Sequence, residues 1–342
     1  MTNSKNVAYG QPLARSMILV PGMILGIVVS EIVCPTAVAE DSTTGALVAA
    51  RAAPKAVSEN LRSAIGAAEF TVLTQHKGDD EPNLWSKAKV HVYFDEGKYH
   101  IQLLYEKMLR RVSTTDNDGK TTERIADGRY DDVRIVVDDD AVYVVNFSER
   151  IRPTGCGGDI WSKEQLKTGL AMSGFPWAEP ARLWRELPDV GQIIKNLGED
   201  AIAFSEIGEG RFRATYPVAM PYAELDVERS AGFNVTAFPV FNPKQKNPVQ
   251  RSEATWKQID GAWYVTEFIN DWDNREVEPE RGHFSRSTLE FKSFEANVKV
   301  EPDLFSLKSV PIPARTRFID RRPKPASQFQ YWNGMALQTE RP

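Results

Sequence analysis

"KVHVYFDEGKYHIQLLY", residues 89–105, decides between a helical and a β protein. Tyr99, Ile101, Leu103 and Tyr105 take every second position, and a period of two puts one set of side chains on one face of a strand. The continuation "LLYEKMLRRV", residues 103–112, also satisfies helix propensity. The alternation leads into it and the next punctuation is the turn Asn117-Asp118-Gly119, so the reading is strand.

Outward from this stretch the pattern repeats. "EFTVLTQH" begins at Glu69, and "ERIADGRYDDVRIVVDDDAVYVVN" follows with Asp127-Gly128 inside it. Such dipeptides tolerate the positive φ of tight hairpins, so the first half reads as an antiparallel meander. From Ala201 four more alternating segments follow, separated by Glu209-Gly210, Ala231-Gly232 and Asp260-Gly261. Between the two runs, residues 162–197 read as a helical insert. Ser162 and Gln165 have the spacing of a capping box, and Gly198 stands where glycine closes a helix. Its apolar residues Leu166, Leu170, Leu183, Trp184, Leu187, Ile193 and Ile194 need a surface to cover. In "KAVSENLRSAIGAA", residues 55–68, Val57, Leu61 and Ile65 recur at helical turns. Two antiparallel runs joined by helices predict a mainly β, α+β fold: a strongly curved antiparallel sheet forming a half-barrel, covered on its concave face by helices.

The ends bound the domain. Residues 17–30 carry no charge and follow Lys5 and Arg15, a basic region and an apolar core of signal-peptide length, broken by Pro21 and Gly22. Ala37-Val38-Ala39 supplies the small residues that signal peptidase needs, which predicts a signal peptide over 1–39 and export. Cleavage before Cys34 to give a lipoprotein fits poorly, because Glu31, Ile32 and Val33 precede it; retention as an anchor is the other alternative. Residues 40–54 read as a linker, 55–320 as the folded domain and 321–342 as a loose tail.

The chain has 42 basic and 47 acidic residues, a net charge of -5. No basic footprint for nucleic acid exists. Of two cysteines only Cys156 lies beyond the signal, so no intramolecular disulfide is expected.

The order of these elements resembles the LolA-like superfamily of lipoprotein carriers and outer-membrane lipoprotein-sorting domains. The similarity rests on the helix running into "AAEFTVLTQ", on "DEGKYHIQLLY" followed by "RIADGRYDDV", on "WKQIDGAWYVTEFIN" before "FKSFEANVKVEPDLFSL", and on "VPIPARTRFID". It implies a half-barrel whose apolar cavity takes acyl chains, with helices over the mouth and no chemistry. The expectation is therefore a non-catalytic carrier-like protein of the periplasm or cell envelope. Its partner would be a lipid or a lipoprotein acyl chain, with peripheral contact to a membrane and no cofactor. Ile101, Leu103, Trp184, Trp256, Trp263 and Phe268 are the candidate lining residues. Trp256, Trp263 and Phe268 flank the Asp260-Gly261 turn, where ordinary core packing explains them equally well.

Two other functions stay open. One is an envelope sensor or scaffold that binds a protein partner through an exposed apolar patch. The other is an enzyme using Cys156 in "PTGCGGDIW", whose bland reading is a Gly-rich turn before a helix. His76, His91, His100 and His283 carry no signature linking a base to that thiol. His91 and His100 fall on consecutive strands where they could face each other across a hairpin, giving two of the three or four ligands a metal needs; with no third ligand indicated they read as solvent-facing. Asp138-Asp139-Asp140 reads as a hairpin turn, and "NDWDNREVEPE", residues 270–280, as a solvated loop lacking EF-hand spacing. No P-loop, dinucleotide fingerprint, Gly-x-Ser-x-Gly or His-Glu-x-x-His stretch occurs, so no metal site or catalytic residue is predicted.

Overall fold

A computed structural model of the chain describes residues 43–115, 121–128, 130–151, 154–163, 190–217, 222–242, 244–278, 282–322 and 328–340. The segment read as a signal peptide, Asn117-Asp118-Gly119 and residues 164–189, Trp184 among them, lie outside the described residues.

The first element is the helix α1, Thr43–Asn60. Ala46, Ala50, Ala53 and Val57 recur at helical spacing and are all buried, so a flat, small-residue face lies on the sheet. This helix begins twelve residues before the expected Lys55 and takes up the stretch read as linker. It also ends earlier: Leu61 N–H closes on the Val57 carbonyl at 3.0 Å, and Ser63 to Ala68 belongs to a strand. Burial alternates there with a period of two, so the small residues that imitate a helix are a sheet face. The second helix, α2, Val190–Leu197, buries Val190, Ile193 and Ile194. Gly198, at φ 86°, donates to the Ile194 carbonyl at 2.8 Å and closes it as expected.

The strands are β1 Ser63–His76, β2 Asn83–Asp95, β3 Lys98–Thr115, β4 Thr121–Asp127, β5 Asp132–Val137, β6 Val142–Phe147 and β7 Cys156–Trp161 in the first half. The second half has β8 Ala203–Gly208, β9 Arg211–Tyr216, β10 Tyr222–Glu228, β11 Asn234–Phe241, β12 Gln250–Ile259, β13 Ala262–Asp273 and β14 His283–Ala296. The chain ends with β15 Arg317–Asp320, β16 Gln328–Trp332 and β17 Leu337–Gln338. They form one curved, open sheet in the order β8-β9-β10-β11-β12-β13-β14-β1-β2-β3-β5-β6-β7-β15-β16-β17. The hairpin strand β4 pairs with the far half of β3. Every pairing is antiparallel except β7 with β15. β1 joins the two meanders, pairing with β14 on one side and β2 on the other.

The ambiguous stretch after Leu103 is strand, as the alternation requires. Asp138 confirms the turn reading of the aspartate triplet, since its Oδ1 accepts the N–H groups of Asp140 and Ala141 at 2.9 Å each. The Gly-rich piece around Cys156 is instead strand β7. Glycine is needed at 158 because the Phe318 ring lies where a side chain would stand.

Two cores flank the sheet. The larger lies on the inner, concave face and joins the buried sides of α1 and α2 with Val90, Val92, Ile101, Leu103, Ile135, Leu225, Phe268, Leu289 and their neighbours, α1 meeting the sheet chiefly at β8, β11 and β13. The smaller lies on the outer face of β5–β7, under a strap that leaves β14 through the 3₁₀ turns Pro302–Phe305 and Leu307–Ser309 and returns as β15. Part of the segment read as a loose tail is strand: β16 and β17 extend the sheet beyond β15, and Trp332 is 4 % exposed.

Candidate functional site

Among the described residues, the inner face carries an apolar surface that is continuous from strand to strand. Register carries it from strand to strand: Phe268 opposes Leu289, which opposes Phe70; Phe70 opposes Ala88 and Val90 opposes Leu103; Ile101 opposes Ile135, which opposes Val144. Small residues in β1 leave room for larger ones beside them. A side-chain carbon on Gly66 would come within 3.0 Å of the Phe291 ring and 3.3 Å of Phe294. The tyrosines on this face stay neutral, because burial pushes the hydroxyls of Tyr105 and Tyr216 up.

The apolar character stops at one end. Toward the C-terminal end of β1 the inner positions become Ser86, Ser252, Asn270 and Ser287, brought together by register. Asn270 Oδ1 accepts from Ser252 Oγ at 2.8 Å and from Gln250 Nε2 at 3.3 Å.

The expected lining residues fall into three groups. Ile101, Leu103 and Phe268 are all on the inner face, at most 1 % exposed. Trp256 is half-buried against the same core, its indole N–H donating to the Val235 carbonyl at 2.8 Å. Trp263 sits at the end of β13 against Gly232, the αL residue of the β10–β11 turn, and is not among the core residues. Half-buried Tyr105, Val144, Trp161 and Phe238 ring the packed interior and were not singled out by sequence reasoning. Alternation set Tyr105 on one face with Ile101 and Leu103, but only the tertiary arrangement leaves these four partly open.

Two clefts open elsewhere, and both are polar. One, of about 660 Å³, lies at the opposite end from Asn270 and is lined by Glu59, Arg62, Asp95, Glu96, Asp260 and Lys299 among others. The other, of about 250 Å³, lies on the outer face beside ion-paired Arg211, Asp226, Glu228 and Arg251. That outer face is a field of paired charges: Arg213 reaches Asp226 at 2.6 Å and Glu224 at 2.8 Å, and Arg286 reaches Asp271 at 2.7 Å. The oxygen-rich stretch 270–280 is drawn into it, since Asp271 and Asp273 are held by Arg286 and Arg275.

Cys156 is 2 % exposed on the outer face of β7. Burial pushes its thiol up to about 11, the opposite of what a nucleophile needs. The histidine expectation is corrected. His91 opposes Gln102 and His100 opposes Tyr93, so the two do not face each other. His100 is not solvent-facing either; it is 4 % exposed, because the strap covers this part of β3. The directly opposed pair is His76 and His283, with ring centroids 5.7 Å apart across β1 and β14. Among the described residues no group of three or more His, Cys, Asp or Glu is arranged to hold a metal ion, and no helix is long and apolar enough to cross a membrane.

No family model and no curated protein matches the chain. Solved structures similar to it include a DUF1329 family protein from Desulfovibrio piger, at 11% identity and a TM-score of 0.38, covering 78% of this chain and 98% of that one. Another is a putative outer membrane lipoprotein-sorting protein domain from Vibrio parahaemolyticus, at 10% identity and a TM-score of 0.39, covering 78% and 99%. Likeness at this level carries no argument, so function is argued from the residues.

Proposed function

We propose that the protein is a non-catalytic, carrier-like protein of the cell envelope that holds an acyl chain of a lipid or lipoprotein against the inner face of its sheet. What supports this reading is the extent of that face. The principal contacts of α1 are with β8, β11 and β13, yet apolar inner positions continue past them through β1, β2, β3, β5 and β6. Apolar surface held by a curved sheet is what an acyl chain needs, at about 0.8 kcal/mol per buried methylene. Half-buried Tyr105, Val144, Trp161 and Trp256 are the margin at which a chain would enter, with Ile101, Leu103 and Phe268 as the floor. Trp263, at the end of β13, and Trp184, outside the described residues, stay in the proposal as candidate lining residues. The polar end at Ser252, Asn270 and Ser287 gives the site a direction, with the headgroup beside Asn270.

The test is mass spectrometry of the protein purified from an export-competent bacterial host, under native and denaturing conditions. A native mass above the denatured one, with release of an acyl lipid, is the expected result. Val144→Asp places a charge on the half-buried margin, and the folded variant should lose at least 90% of that lipid. A wild-type protein that carries no lipid and takes up no added fatty acid overturns the carrier reading and leaves a protein partner as the ligand.

A further inference from the structure

We propose that the strap over the outer face is an acid-sensitive latch, in which protonation of His100 opens the Pro302–Phe305 turn from β3. The inference concerns the face opposite the acyl site and does not depend on that reading.

His100 is on the outer side of β3, between Tyr93 of β2 and Val136 of β5. Most of that sheet surface faces water, but here the first turn of the strap packs on β3 and the backbone of Leu304 lies beside the imidazole. The ring is 4 % exposed and neither nitrogen meets full hydrogen-bond geometry; the Leu304 backbone is the strap group that favours its charge, and burial and Arg134 outweigh it. A buried polar group short of a full hydrogen bond is a cost that the closed strap carries and the open strap relieves with water.

The charges around the ring make its protonated form worse. Arg134 of β5 repels an imidazolium. Asp132 attracts it, but less than Arg134 repels it: its Oδ2 accepts from Arg134 at 2.9 Å and from Gln102 at 3.1 Å, while its buried Oδ1 has no hydrogen-bond partner. On β3 itself Lys98 is held by Asp139 at 2.6 Å. From β2 the ring meets only the aromatic face of Tyr93, with centroids 5.9 Å apart. The charged residues of the strap, Glu301, Asp303 and Lys308, are exposed. Burial first and Arg134 second hold the closed-state imidazole at about 4, against 6.5 in water.

The sign follows from linkage. The open state takes up the proton below 6.5 and the closed state refuses it until about 4, so acid favours opening within that window. Between pH 7 and pH 5 the opening equilibrium rises about 20-fold. Opening uncovers the apolar side of β5–β7, which Leu307, Val310 and Ile312 otherwise cover.

Hydrogen exchange of the full chain at pH 7 and pH 5, corrected for intrinsic exchange rates, tests the latch. Protection over residues 302–310 should fall about 20-fold in the wild type while β1 and β14 hold theirs. In His100→Asn and His100→Phe the same segment should change less than about 3-fold. A wild-type strap indifferent to pH, or an equal fall in the variants, overturns the proposal. If neither variant folds, NMR titration of the wild-type imidazole decides: a midpoint below about 5 supports the latch, and one at or above it overturns it.

Discussion

A single missing side chain shows how closely the strap is fitted. Gly158 has no unusual φ, so its requirement is space: the Phe318 ring occupies the place of its side chain. Gly158→Ala should therefore lose about 1–3 kcal/mol in denaturant unfolding, by overpacking, and Phe318→Leu in the same chain should return part of it. Cys156, two residues away on the same face, is expected to be inert. With burial holding its thiol up at about 11, an electrophile at pH 7 should label it only after denaturation. Rapid stoichiometric labelling of the folded protein would restore the nucleophile reading. The sequence marked Cys156 as unusual, since it is the lone thiol beyond the segment read as a signal, but it is buried in a cluster with Phe318 and residues of the strap far along the chain.

At the level of elements, β15 is the weakest pairing that holds a large surface. It meets β7 through only Phe318, Ile319 and Asp320. Side chains reinforce it: Arg321 reaches Asp159 at 2.6 Å, and Asp320 accepts from Arg322 at 2.7 Å and Gln330 at 2.7 Å. The Arg322 guanidinium holds the Asp320 carboxyl below the usual range. A depressed carboxylate contributes above its unfolded value near 3.8 and loses that contribution as pH falls through the folded value. Asp320→Asn should thus cost about 1 kcal/mol at pH 7, a modest figure because Arg322 is partly exposed to solvent, and less at pH 2. Urea melts at the two pH values check it. Its acid window lies below that of His100, so the two contributions to strap closure separate on the pH axis. Neither pairing was readable from "VPIPARTRFID", which looks like a terminal strand but does not name its partner.

Over the whole molecule, the chain uses its sheet twice. The inner face is neutral and apolar, ending in a hydrogen-bonded polar row, while the outer face is ion-paired in one wing and strapped in the other. Lipid binding is predicted for the first face and acid response for the second, so removing one should leave the other intact. Val144→Asp should keep the wild-type exchange profile over residues 302–310, and His100→Asn should keep its lipid.

What the sequence determined by itself was periodicity and punctuation. Alternation identified most strands, Asp260-Gly261 and Glu209-Gly210 placed hairpins, and Gly198 ended a helix, because all of these are local backbone preferences. Two local readings failed where small residues carry no periodic contrast: Thr43 to Pro54 is helix, and Ser63 to Ala68 is strand. Alanine and glycine fit either state, and packing chose between them. The tertiary structure alone decided that β1 joins two meanders, that the strap returns to β7, and that His100 is buried while Trp263 packs beside a turn. Each of these depends on contacts between residues far apart in the chain, whose strength comes from burial and register that no short window of sequence contains.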